Sequence, residues 1–193
     1  AALLPYVSIT LRNSIFTGNS VQLLGQNQPS FGGAVAIGVT LGNLAGTLTI
    51  SNTSWIGNVV NGSISSTYFA GALAVVVGSL GSQPVSFNTT ITDSLFVNNS
   101  VHGASARGGA FSMQTQLAYS QQYSYLSILN STFDGNGAYG QDAGLGGAAT
   151  VDATMYGAPN GAVSVRGCLF SRNVVSSSGL SSLVNGLSAS SNG

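Results

Sequence analysis

Four aspartates, four arginines, one histidine and one cysteine are the chain's whole stock of catalytic groups beyond its hydroxyls and amides. The charged residues are Arg12, Asp93, Arg107, Asp134, Asp142, Asp152, Arg166 and Arg172; lysine and glutamate are absent. Glycoside hydrolysis needs two carboxyl groups converging on one groove. Asp142 and Asp152 lie near each other in sequence, but nothing there forces them together. Asp134 and Arg172 follow two phenylalanines by one and two residues. Adjacent placement would make them a surface ion pair, which is worth little. His102 is expected alone in a loop. No Ser-His-Asp set, metal-ligand spacing or glycine-rich phosphate loop with its lysine is present. The residues therefore argue against an enzyme and imply no cofactor and no metal.

Two further chemistries remain. Cys168 is the single cysteine and permits no internal disulfide, so it leaves the compartment open. It is expected to be an inert structural thiol. Asn-x-Ser/Thr sequons occur at Asn52, Asn61, Asn88, Asn98 and Asn130, and each is an acceptor for N-linked sugar in a secreted chain. Asn61 is expected in a loop, Asn88 on an outer strand face, and Asn98 just after an aromatic. Asn52 and Asn130 fall in a bend, where they could be internal ladder residues instead.

Charge density sharpens this reading. Only 4% of the 193 residues are charged, and they cancel, against about 25% in ordinary soluble domains. That leaves no electrostatic footprint for nucleic acid or an anionic membrane. The apolar run "AGALAVVVG" at residues 70–78 falls far short of the roughly 20 residues of a spanning helix. An uncharged surface is sticky unless sugar coats it or an assembly buries it.

The elements that must position these groups are repeats. Aromatics recur at Phe16, Trp55, Phe96, Phe133 and Phe170, at intervals of 39, 41, 37 and 37 residues. Each is followed three residues on by Asn19, Asn58, Asn99, Asn136 or Asn173. A second motif follows the first four: "GGAVAI", "AGALAV", "GGAFSM" and "GGAATV". The fifth copy, "NGLSAS" at 185–190, is degraded. A third segment precedes each aromatic and alternates with period two: "VSITL", "GTLTI", "FNTTI", "SYLSI" and "GAVSV". Such alternation marks strands. One face of it holds Ile9, Leu48, Thr89, Leu126 and Val163; the other holds the hydroxyls of Thr10, Thr49, Thr90, Ser127 and Ser164.

Three short strands per unit, stacked unit on unit, make a parallel β-helix whose coils lie about 4.8 Å apart. The chain is read as one domain over 1–193, with coils at roughly 7–45, 46–84, 85–122, 123–159 and 160–193, either by itself or as part of a longer rod. A propeller has a similar period, but its blades need four antiparallel strands. The aromatics would stack. The asparagines would form an amide ladder. Asn13, Asn52, Asp93, Asn130 and Gly167 would form a left-handed bend. Ser14, Thr53, Ser94, Ser131 and Cys168 make the next column. The small residues Ala34, Ala72, Ala110 and Ala148, with Ala36, Ala74, Ser112 and Thr150, would make a smooth lateral packing stripe if they face outward.

The Gly-Gly-Ala-aliphatic repeat, alternating with Phe-x-x-Asn, resembles the repeats of polymorphic outer-membrane proteins, which also occur in large secreted β-helical proteins. The resemblance covers about residues 7–175. Trp55 in place of Phe, Ala70 in place of Gly and the worn fifth copy depart from the pattern. It implies a right-handed β-helix, as does the general preference for right-handed crossovers, and it implies a scaffold more than an activity.

The functional expectation is an extracellular or cell-surface structural protein: a glycosylated fibre subunit or rod segment, self-associating end to end. "AALLPYV" at the front and Leu180, Leu183 and Leu187 at the rear look able to meet more protein. The alternative is an adhesin-type module in which loop tyrosines Tyr68, Tyr119, Tyr123, Tyr125, Tyr139 and Tyr156 hold glycans or a surface receptor. A carbohydrate-active β-helix enzyme is more remote. So is ice binding, although the hydroxyl column is similar to the threonine arrays of ice-binding β-helices.

Overall fold

The computed structural model describes residues 6–22, 30–41, 45–62, 67–79, 85–117, 122–155, 160–178, 181–183 and 187–192. Among them are strands and no helix. Every strand pairing is parallel, and strands from successive repeats lie side by side. The chain is an all-β parallel β-helix, as the periodicity implied.

The first sheet stacks Tyr6–Arg12, Ala45–Ser51, Val85–Thr92, Gln122–Leu129 and Asn160–Arg166. The second stacks Ile15–Thr17, Ser54–Ile56, Leu95–Val97, Thr132–Asp134 and Leu169–Ser171. The Gly-Gly-Ala strands form another: Val35–Leu41, Leu73–Ser79, Phe111–Leu117, Ala149–Met155 and Leu187–Asn192. The worn fifth copy still pairs in register, Leu187 beside Ala149 and Ala189 beside Val151.

The expected count of three strands per coil is corrected to four sheets. Between the asparagine and the Gly-Gly pair lies an additional sheet, which includes Val59–Asn61, Thr67–Phe69, Ser100–Arg107 and Gly137–Leu145. Its Gly, Ser and Asn residues read as turn formers, yet a neighbouring layer on each side supplies backbone partners, and pairing overrides that weak preference. Two sequence expectations change with it. Asn61 ends a strand instead of sitting in a loop, and His102 lies within Ser100–Arg107.

The main core lies between the sheets. It holds Leu48, Ile50, Trp55, Leu73, Val75, Phe87, Ile91, Phe96, Phe111, Met113, Ile128 and Phe133, all essentially inaccessible. Burying aliphatic and aromatic side chains of this size contributes roughly 1.5–3 kcal/mol each. Tight corners make the coil possible. The bend column Asn13, Asn52, Asp93, Asn130 and Gly167 has φ between 48° and 62° in every layer. A second left-handed column follows the aromatics at Gly18, Gly57, Asn98, Gly135 and Arg172. A third precedes the alanines at Gly32, Ala70, Gly108 and Gly146. Beside it, a Cβ on Gly71 would collide with the backbone of Gly109 and Ser100.

The small-residue stripe is exposed only at Ala36, in the first layer, and half-buried at Ala34. Ala72, Ala110 and Ala148 sit in the bend before their strands and join the main core. Ala74, Ser112 and Thr150 do lie on the other face, but they are buried too. The preceding strand ends fold back over that face, so that Phe69 and Ala70 cluster with Ala74, and Phe31 packs against them. Small side chains are needed because this cover leaves little room. No open lateral packing stripe results.

Candidate functional site

The asparagine column is the most fully connected polar element. Each asparagine's Nδ2 donates to the Oδ1 of the next: Asn19 to Asn58 at 2.8 Å, Asn58 to Asn99 at 2.9 Å, Asn99 to Asn136 and Asn136 to Asn173 at 3.0 Å. The same Oδ1 atoms receive the backbone N–H of the layer before. From Asn58 onward, Nδ2 also donates to the carbonyl oxygen of the preceding layer's aromatic. A buried amide of two donors and one two-site acceptor is thereby saturated. The aromatics stack beside it, with centroids 4.2–5.8 Å apart and planes within 11°. Trp55 carries one cost in this stack: its Nε1 is buried without a partner among the described residues.

The hydroxyl column works similarly. Ser14, Thr53, Ser94 and Ser131 each donate to the carbonyl two residues back, while Ser94 and Ser131 Oγ receive the N–H of the preceding layer. Cys168 takes the same place, with its Sγ 3.3 Å from the Arg166 carbonyl. The inward column of the first sheet has one misfit. Thr89 stands where other layers carry Ile9, Leu48, Leu126 and Val163, and its buried hydroxyl has no partner among the described residues.

The charged groups are separated. Arg172 grips Asp134 through Nε and a terminal nitrogen across one layer step. The guanidinium holds the Asp134 carboxyl below its ordinary range and raises the arginine in return. The sequence missed a second pair, Arg107 with Asp152. Arg107 reaches from the strand preceding its Gly-Gly pair across the neighbouring outer face, and also covers the Phe69 ring at 5.6 Å. Its position directly before Gly108 was the available signal. Asp93 and Asp142 are exposed elsewhere. Among the described residues no group of three His, Cys, Asp or Glu side chains comes together. No helix is long and apolar enough to cross a membrane.

The sequons differ in setting. Asn52 is exposed in the bend, and its Nδ2 donates to Asn13 Oδ1 at 2.9 Å. Asn130 is exposed, and its Oδ1 lies over Gly167. Asn98 is exposed in left-handed geometry, its Oδ1 against Gly135. Asn61 and Asn88 are exposed on extended strands.

The tyrosines read as loop residues are also corrected. Tyr123 and Tyr125 belong to the first sheet, Tyr139 to Gly137–Leu145 and Tyr68 to Thr67–Phe69. Tyr119 and Tyr156 lie outside the described residues, as do the front segment before Tyr6 and Leu180. Tyr139 stacks on His102 at 4.6 Å, and His102 Nε2 is 3.1 Å from Ser100 Oγ. Burial there pushes the imidazole below its usual value of 6.5.

On the first sheet's outer face a shallow trough of about 400 Å³ lies among Asn88, Thr90, Tyr125, Ser127, Ala162 and Ser164. Its floor is the last three members of the outward hydroxyl column, Thr90–Ser127–Ser164 in register. Comparison with known proteins finds no matching family model, no matching curated protein and no matching solved structure.

Proposed function

We propose that the chain is a structural segment of an extracellular rod, stacked end to end on further β-helical layers and carrying N-linked sugar on its flanks. The observation that carries this reading is an exposure gradient within one inward column. Leu48 and Leu126 are 0 % and 3 % exposed, whereas Val163, their counterpart in the last layer, is 42 % exposed. Phe170 is likewise less buried than Phe96 and Phe133 beneath it. An interior that opens at the end of the stack favours another layer seated on it. The columns support this because each layer presents the same side chains to the next, so a following segment would meet a matching face.

The low charge and the exposed sequons Asn61, Asn98 and Asn130 support an extracellular, sugar-coated surface. So does the resemblance to surface β-helical repeats. Electron microscopy of native material tests the reading. Unbranched filaments longer than one chain are expected; isolated monomers at all concentrations would sink it. Intact mass before and after deglycosylation tests the coat, and an unchanged mass would remove it.

A further inference from the structure

We propose that the trough on the first sheet binds a neutral oligosaccharide belonging to another molecule. The inner polar columns spend their hydrogen-bonding capacity on neighbouring layers. Here the side chains of Asn88, Thr90, Ser127 and Ser164 make no hydrogen bond to any described residue, although all line one concave space. The lower part of the same face differs: Tyr6 donates to Thr47 Oγ1, and Thr47 to Ser8 Oγ. Unused donors and acceptors therefore collect at the trough.

Tyr125 supplies the complementary apolar element. It stands in register between Asn88 and Ala162. Ala162 leaves the space beside it open, and Tyr125 is 42 % exposed. Tyr123 holds a parallel ring 6.3 Å away, within 3°. A rigid tyrosine offers contact area at low entropic cost. A ring surface beside hydroxyl and amide groups suits a ligand with one apolar face and an equatorial rim of hydroxyls. No charged side chain lines the trough, so the ligand carries no charge. That combination describes a neutral sugar, lying along the hydroxyl column from layer to layer. Asn88 then serves as a contact amide and stays unmodified. The inference stands apart from the rod reading, since a single chain holds the complete trough.

The test uses the full chain made in bacteria, without N-linked sugar, against immobilised neutral gluco-, manno-, galacto-, xylo- and N-acetylglucosamine oligomers, followed by calorimetric titration of any hit. At least one class binds, and its Kd is insensitive to added salt. Tyr125→Ala weakens it about tenfold or more. Tyr6→Ala, on the same face outside the trough, leaves it unchanged. Ser127→Leu, which fills the floor, has the same effect as Tyr125→Ala and serves if that variant misfolds. The proposal is overturned if no neutral oligomer binds, if binding survives both trough variants, or if only acidic sugars bind with salt-sensitive affinity. Peptide mapping of native material that finds sugar on Asn88 would overturn it equally. None of these results bears on filament formation.

Discussion

The Oδ1 of Asn99 accepts two hydrogen bonds from Asn58, one from its side-chain amide at 2.9 Å and one from its backbone N–H at 3.0 Å. Asn99 in turn donates to the Trp55 carbonyl and to Asn136. One side chain thus meets two backbone groups of the preceding layer and ties that layer to the next through the Asn136 amide.

Asn99→Ala leaves the Asn58 N–H buried and unpaired and strips the Trp55 carbonyl of its side-chain donor. The orphan and the lost side-chain bonds together cost about 2–4 kcal/mol, a loss that denaturant unfolding should show. Asn19→Ala, in the exposed first layer, should lose about 1 kcal/mol. Equal losses at both positions would contradict the ladder's energetic role.

Thr89 and Thr53 are both buried threonines with opposite prospects. Thr89 Oγ1 has no partner among the described residues, while Thr53 Oγ1 donates to the Ser51 carbonyl at 3.0 Å. Thr89→Val keeps the shape and removes the orphan, and should stabilise by about 1 kcal/mol. Thr53→Val should destabilise by a similar amount. Thermal melts of the two variants should move in opposite directions.

Ala70 occupies a left-handed corner, φ 58°, where Gly32, Gly108 and Gly146 occur in other layers. An L-residue there costs roughly 1–2 kcal/mol, partly offset by the greater unfolded-state freedom of glycine. Ala70→Gly should therefore stabilise by about 0.5–1 kcal/mol. Ala110→Gly, in the buried bend, should destabilise. Chemical denaturation of the pair checks the contrast.

Burial lowers the His102 pKa in the fold. The unfolded chain then binds this proton first as pH falls, so stability declines below about pH 6.5. The decline ends once the folded imidazole is also charged. The Asp134 pKa is lowered too; its contribution is present above the ordinary carboxylate value and is lost only in more acid solution. Melting temperature from pH 8 to 5 should fall in the wild type, and His102→Gln should flatten that window without altering the acid limb.

The interior was legible because stacking turns a repeat in sequence into a column in space. Phe16 to Phe170 and Asn19 to Asn173 recur at nearly constant spacing, and that spacing is one coil. The additional sheet was hidden because its strands vary from two separate pieces in the second layer to the continuous Ser100–Arg107 in the third. Arg107 and Asp152 meet only because strand ends fold back over an adjacent face, a contact with no repeat behind it. The trough was invisible for a related reason. Its defining column reads Ser8, Thr47, Asn88, Tyr125 and Ala162, and solvent imposes no common residue on it. The hydroxyl floor of the trough repeats like the interior columns, whereas the Asn88–Tyr125–Ala162 wall that would give it selectivity does not.

Fibre diffraction from oriented native material tests the rod most directly. End-to-end stacking continues the layer spacing from one segment into the next, so a strong reflection at about 4.8 Å should lie on the meridian, along the filament axis. The same spacing on the equator, or particles too short to orient, would contradict end-to-end assembly.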